Sequence, residues 1–281
     1  MVLAKLVANR RLALRPPTRP SKASKPAHRP WNRKRVAARI QVIASPAAGL
    51  AYPPLSVATV NRQEILTRTQ QHVRHLLSGD GTGHDWHHID RVRRVALRLA
   101  DAEGADPFVV ELAALLHDVA DWKFHGGDET AGPRAAREWL ASLDVDEATI
   151  DHVCGIVAGL SFKGAGVATE MPTVEGRVVQ DADRLDAIGA IGVARTFAYG
   201  GHRGQPLHDP DLPPTLHDSF AAYKQPGGTS LNHFHEKLLL LKDRMQTASG
   251  RRWAETRHAY LEAFVERFLQ EWNGNDGPRG D

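Results

Sequence analysis

One segment limits what this chain can become more than any other: Asp106-Pro107, then Phe108-Val109-Val110-Glu111-Leu112-Ala113-Ala114-Leu115-Leu116-His117-Asp118-Val119. Asp followed by Pro is a helix start, because the aspartate caps and the proline has no amide to lose at the first helical position. From Phe108 to Val119 the residues are apolar nearly all round, which predicts a central, buried helix rather than a surface one. Yet the run closes on His117 and Asp118. A carboxylate buried there is costly unless it is paired or bound to a cation. Imidazole and carboxylate are suitable donors for a first-row divalent metal. A helix end emerging into water accounts for the same pair equally well.

The rest of the chain from Asn61 onward is also helical in pattern. Asn61 with Glu64 resembles a capping box, and Ile65, Leu66, Val73, Leu76 and Leu77 continue on one side. Asp80-Gly81-Thr82-Gly83 breaks that helix, and another is expected from about 85 to 102, with Ile89, Val92, Val95, Ala96 and Leu99 as its apolar stripe. Further helices are expected at about 130–142, 146–159, 173–199, 230–246 and 250–272. The stretch 200–229, with Gly200-Gly201, Pro210, Pro213-Pro214 and Gly227-Gly228, is expected to be a long loop. No alternating strand pattern and no internal repeat is present. The predicted class is all-α, with one helical domain over 61–273 and a disordered tail over 274–281.

Charge divides the chain differently. Residues 1–60 hold 12 Lys and Arg and no acid, so the net charge of +3 leaves 24 basic and 33 acidic residues in 61–281, a formal charge of −9. An acidic body argues against a broad nucleic-acid face, which needs clustered Lys and Arg. The first sixty residues are rich in Arg, Pro, Ala and Ser, without apolar periodicity, and are expected to be a disordered basic extension. They also fit an organelle transit peptide, a basic arm for nucleic acid, or a non-native extension read from an upstream start, since Val60 directly precedes the first clear helix and a GTG valine codon can initiate in bacteria. No run of 18 apolar residues occurs, which excludes a membrane-spanning helix. The single cysteine, Cys154, cannot form an internal disulfide, which fits a reducing, cytoplasmic compartment.

Two more polar clusters stand where packing alone would not put them: His84-Asp85-Trp86-His87-His88-Ile89-Asp90-Arg91-Val92, and Val179-Gln180-Asp181-Ala182-Asp183-Arg184-Leu185-Asp186. His84 and His88 share a helical face. A lone histidine on such a face is more often structural than a ligand. Asp181 and Asp183 lie about 200° apart on a helix, so only one of them can point into a given site. Acids in the first turns of a helix are also favoured by its dipole.

The order and spacing of these clusters resemble the HD superfamily of metal-dependent phosphohydrolases. The match is carried by His88-Ile89-Asp90-Arg91-Val92, by His117-Asp118 after an apolar helix, and by Asp183 in an A-D-x-L-D segment. The flanks resemble a bacterial subgroup of small HD hydrolases: Gly83-His84-Asp85-Trp86, Glu111 to Asp118, and Gln180 to Gly192. The resemblance runs from about 61 to 273 and implies a single HD-domain helical bundle. It implies His88, His117, Asp118 and Asp183 as the ligands of one divalent metal ion, which would activate water and neutralise phosphoryl charge. It implies Asp121 as the acid or base; three residues past Asp118, it falls on the same helical face if the helix continues. Candidates for phosphate binding are Lys123, Arg94, Arg184 and Lys237, with Lys163 and Lys242 beside them. Where two-metal members place a further histidine, this chain has Ala158-Gly159-Leu160-Ser161. That departure favours one metal, with His152 the remaining candidate for a second site.

The resemblance implies nucleotide hydrolysis, first of all of a nucleoside triphosphate to monophosphate and pyrophosphate. A 5′-nucleotidase-type phosphomonoesterase and an alarmone hydrolase are the enzymatic alternatives. The non-enzyme alternative is a nucleic-acid-binding protein acting through residues 1–60. Nitrogen and oxygen ligands suit Mn²⁺ first, then Mg²⁺, Fe²⁺ or Ni²⁺. Partners are then a small-molecule nucleotide and no membrane; a homodimer is compatible with the sequence, which does not set the oligomeric state. Because the basic extension lies outside the resemblance, deleting residues 1–59 is expected to keep the turnover rate within about a factor of two, under ~0.5 kcal/mol in the barrier. A larger loss in steady-state kinetics would show that the arm contributes to the working domain.

Overall fold

The computed structural model describes residues 61–77, 85–120, 128–160, 162, 165–216 and 227–277. The basic extension, Asp121, Lys123 and Lys163 lie outside them. Among the described residues the protein is all-α, with no strand. The helices are α1 Arg62–Leu76, α2 Trp86–Glu103, α3 Pro107–Leu116, α4 Ala131–Ala141, α5 Glu147–Gly159, α6 Val174–Asp186, α7 Gly189–Arg203, α8 Asn232–Glu236 and α9 Ala248–Trp272. None is long and apolar enough to cross a membrane.

Local chemistry sets most of these starts. The side chain of Asp85 accepts the His88 amide at 2.9 Å, Asp106 accepts that of Phe108 at 2.8 Å, and Asp146 accepts that of Thr149 at 3.0 Å. Each satisfies an amide that has no partner inside its helix. Asn61 caps α1, but its acceptor takes the Gln63 amide rather than that of Glu64, so the full capping box does not form.

α3 is the central element. Val110, Leu112, Ala113, Ala114, Leu115 and Leu116 are wholly buried. Around it pack α1, α2, α5 and α6, with α2 lying along both α3 and α6. The small side chains Ala96, Ala113, Ala114 and Ala182, all fully buried, keep these helices close. This is what brings the end of α3, the start of α2 and the end of α6 to one place.

Two expectations change. The single helix expected over 173–199 is two, α6 and α7, broken after Asp186. Gly189 sits at φ +76°, a left-handed conformation that a side chain would strain, and a Cβ there would also press on Arg257. The helix expected over 230–246 is the short α8 followed by single 3₁₀ turns at Leu238–Leu240 and Lys242–Arg244. The break before α9 exists to be capped. Asp181 of α6, fully buried, accepts the Gln246 amide at 2.9 Å, and the Thr247 amide and hydroxyl at 2.8 Å each. Beyond α9, the Asn275 amide bonds back to the Gln270 carbonyl at 2.8 Å and Asp276 pairs with Arg267 at 3.0 Å. The described part of the expected tail is thus tied to the helix.

Asp181 is a bolt between α6 and α9. Asp181→Ala removes one acceptor and leaves at least two buried donors unsatisfied, which costs about 2–4 kcal/mol. Urea unfolding of the variant is expected to show that loss of stability, with metal content unchanged.

Candidate metal centre

His88 enters from the first turn of α2 and His117 from the end of α3, and their Nε2 atoms face each other 3.2 Å apart. What stands behind each ring decides which nitrogen carries the proton. His117 Nδ1 lies 2.8 Å from the Ala114 carbonyl oxygen, which can only accept, so Nδ1 donates and Nε2 is left as a lone pair. His88 Nδ1 lies 2.7 Å from the Asp186 carboxylate, with the same consequence. With Nδ1 as the donor on each ring, both Nε2 atoms are turned to one point.

Two carboxylates share that point. Asp118 Oδ2 is 3.5 Å from His88 Nε2 and 3.7 Å from His117 Nε2; Asp183 Oδ1 is 3.5 Å and 3.9 Å from the same two atoms. Donor atoms of His88, His117 and Asp183 all lie within 4.8 Å of one another. His88 is 1% exposed, and the side chains of Asp118 and Asp183 are 17% and 34% exposed, so the cluster opens to solvent on the carboxylate side.

This donor set fits a metal ion. With metal–nitrogen bonds of about 2.0–2.1 Å, two nitrogens on one ion at roughly 90–110° stand about 2.8–3.4 Å apart. The separation of 3.2 Å falls in that window. Without a cation, the same geometry sets two lone pairs and two anions against each other. Burial and Arg195 act to lower the His88 pKa, and the hydrogen bonds with Asp118 and Asp186 outweigh both and raise it.

Asp186 is held from three sides. It accepts His88 Nδ1, both Nε and one Nη of Arg91 at 2.7 and 3.0 Å, and Arg195 at 2.8 Å from α7. Burial pushes its carboxyl up, but the hydrogen bonds from His88 and Arg91 outweigh that and hold it well below the usual carboxylate range. It stays an anion and holds the His88 ring in one tautomer, the usual arrangement behind a metal-binding histidine.

Comparison with known proteins agrees with this geometry. The HD domain family matches residues 85–188, from the cap of α2 to just past Asp186. The Bacillus subtilis protein YpgQ is 38% identical over 205 residues, which cover 73% of this chain and 92% of YpgQ. The chain belongs to the HD superfamily of metal-dependent phosphohydrolases. Among solved structures, an HD-superfamily hydrolase from Bacillus thuringiensis is similar at 46% identity, with 76% of this chain and 99% of that one covered and a TM-score of 0.59. YpgQ in complex with ADP matches at 32% identity, 77% and 100% coverage, and a TM-score of 0.57.

In this HD domain the structure gathers His88, His117, Asp118 and Asp183 and leaves other sequence candidates apart. Arg94 is exposed and bound to Asp90 of its own helix, through the backbone carbonyl and the carboxylate, both at 3.2 Å. Arg184 is buried and donates to the Arg244 carbonyl and the Thr169 hydroxyl, away from the ligand side of α6. The Lys237 ammonium lies 5.2 Å over the Phe162 ring. His152 meets the Thr173 hydroxyl at 3.0 Å, far in role from a second metal site. Asp121 was placed by assuming that the helix continues past Asp118. α3 ends at Leu116 and 117–120 is turn, so that helical-face argument fails, and Asp121 itself lies outside the described residues.

Sequence reasoning missed Asp186, Arg91 and Arg195 as members of the site. Two signals were available: Arg91 is three residues from His88 and Asp186 three from Asp183, each one turn along the ligand's own face. Asp186→Asn keeps the shape, removes the charge, and puts an amide NH₂ against one of two guanidinium groups. It is expected to weaken metal binding about 10–100-fold with the fold intact, checked by chelator competition alongside circular dichroism. Unchanged affinity would reduce Asp186 to a packing role.

Proposed function

We propose that this HD hydrolase acts on nucleotides, cleaving a nucleoside triphosphate to the monophosphate and pyrophosphate with one divalent ion held by His88, His117, Asp118 and Asp183. The observation that carries the reading is the convergence of two lone-pair nitrogens and two carboxylates on one partly open point. It is supported by YpgQ, a relative across most of its length, having been crystallised with ADP. When bound, a divalent ion at such a point supplies an activated water and neutralises charge on a phosphoryl oxygen. Mn²⁺ is the ion of first choice for two imidazoles and two carboxylates, ahead of Mg²⁺, which prefers oxygen.

The residues divide the work. His88 and His117 present fixed nitrogens because Asp186 and the Ala114 carbonyl hold their other ring atoms. Asp118 and Asp183 complete the charge and leave the solvent side open for the substrate. Asp121, just beyond the turn that follows Asp118, is assigned the proton transfer, which typically contributes about 10²–10⁴-fold.

The test is a nucleotide screen with the full chain under Mn²⁺, Mg²⁺, Fe²⁺ and Ni²⁺, measuring phosphate and pyrophosphate separately. Pyrophosphate release from triphosphates is expected. Phosphate release from monophosphates would instead make it a 5′-nucleotidase-type enzyme. His117→Ala and Asp183→Ala are expected to lose metal and activity together. Asp121→Asn is expected to keep its metal and lower kcat by about 10²–10⁴-fold with little change in KM; an unchanged kcat would remove Asp121 from the chemistry.

A further inference from the structure

A second polar hollow lies on another side of α6. It is a cavity of about 580 Å³ between the segment 165–171 and the 3₁₀ turn and first turn of α9, and four of its lining residues are Arg177, Arg184, Arg244 and Arg251. On a helix with about 100° between residues, Arg177 and Arg184 stand within roughly 20° of each other. Arg184 stands roughly 100° from Asp183 by the same count, so the hollow and the metal centre occupy different sides of α6.

The four arginines are not equivalent. Arg184 and Arg244 build the walls: Arg184 donates to the Arg244 carbonyl and to Thr169, and Arg244 to the Ala165 and Val167 carbonyls. Arg177 donates no hydrogen bond among the described residues, and Arg251 gives one, from Nε to the Met245 carbonyl at 3.0 Å. Their guanidinium NH₂ groups are the unused donors.

Two acids, Glu170 and Asp243, also line the hollow, and Asp181 and Glu103 lie near its arginines. Asp181, the acid that acts on Arg184 most strongly, has its oxygens engaged by the Gln246 and Thr247 donors. Asp243 pairs with Lys242 at 3.4 Å, and Glu103, which interacts with Arg177, accepts the Ser249 amide at 2.7 Å. Glu170 is exposed. Four guanidiniums around one hollow offer a multiply charged anion several partners at once.

We propose that this arginine-lined hollow is a second, non-catalytic binding site for an oligophosphate anion, an inorganic pyrophosphate or the phosphate chain of a nucleotide, held through Arg177 and Arg251. Guanidinium forks match phosphate oxygens in pairs, which suits them to such a ligand better than to a single small anion. The hollow is roomy enough for a group of that size.

The probe is inorganic pyrophosphate, titrated calorimetrically into the full-length chain, into Asp183→Ala and into Arg177→Gln/Arg251→Gln, with Arg252→Gln as a surface control. Asp183→Ala damages the metal centre and changes none of the residues that line the hollow, so the two sites are read apart. Asp183→Ala and Arg252→Gln are expected to bind pyrophosphate with wild-type affinity at this site, orthophosphate at least tenfold more weakly. The double arginine variant is expected to lose at least tenfold in that affinity. Binding that vanishes in Asp183→Ala, or that survives undiminished in the double variant, overturns the proposal. The catalytic reading stands or falls separately, on product release.

Discussion

Two imidazole nitrogens face each other at 3.2 Å, each left without a proton by what stands behind its ring. The rest of the domain is arranged to hold that pair. His117 is fixed locally, by a carbonyl three residues back. His88 is fixed at long range, through Asp186, and that single carboxylate recruits three helices: α2 gives His88 and Arg91, α6 gives Asp186, and α7 gives Arg195. A ligand held by a backbone atom costs the fold little to orient. One held by a buried anion requires counter-charges, and these are the two arginines.

Rigidity comes from the packing beneath. α3 has no exposed apolar side to adjust, and the alanines that face it fix its distance from α2 and α6. Interiors packed to this density pass displacement on rather than absorbing it. A shift of α6 relative to α3 would move Asp183 and Asp186 together, changing both one candidate ligand and the support of another. The Asp181 bond to the start of α9 opposes such a shift from the far side of α6.

Much of this was legible in the sequence because periodicity is a direct record of burial. The apolar run from Phe108, the Asp106 cap and the helix starts near Asp85 and Asp146 read from residue order, and the resemblance named the four residues that meet at the candidate centre. What did not read depended on contacts between elements. The break before Gly189 is invisible to hydrophobic spacing, because Ile188, Ile191 and Val193 keep a plausible helical rhythm; it needs the backbone sign at one glycine. Arg94 and Arg184 lie close in sequence to the ligand candidates, but one residue along a helix turns a side chain by about 100°. That rotation separates Arg184 from Asp183, and it likewise makes Arg91, rather than Arg94, the arginine that reaches the site.

α6 shows how three acids can share six residues of one buried helix. Asp181 is hydrogen-bonded by amide and hydroxyl donors from the start of α9, and Asp186 by a histidine and two arginines. Asp183 alone receives no side-chain hydrogen bond from a donor among the described residues. Its neighbours are two ring nitrogens that have already given their protons elsewhere. A carboxylate so placed is stabilised only by solvent or by a cation, and it stands at the one point where both imidazole lone pairs arrive. Of the three acids, Asp183 is the one with fewest protein donors, and it stands where a metal ion would complete its charge.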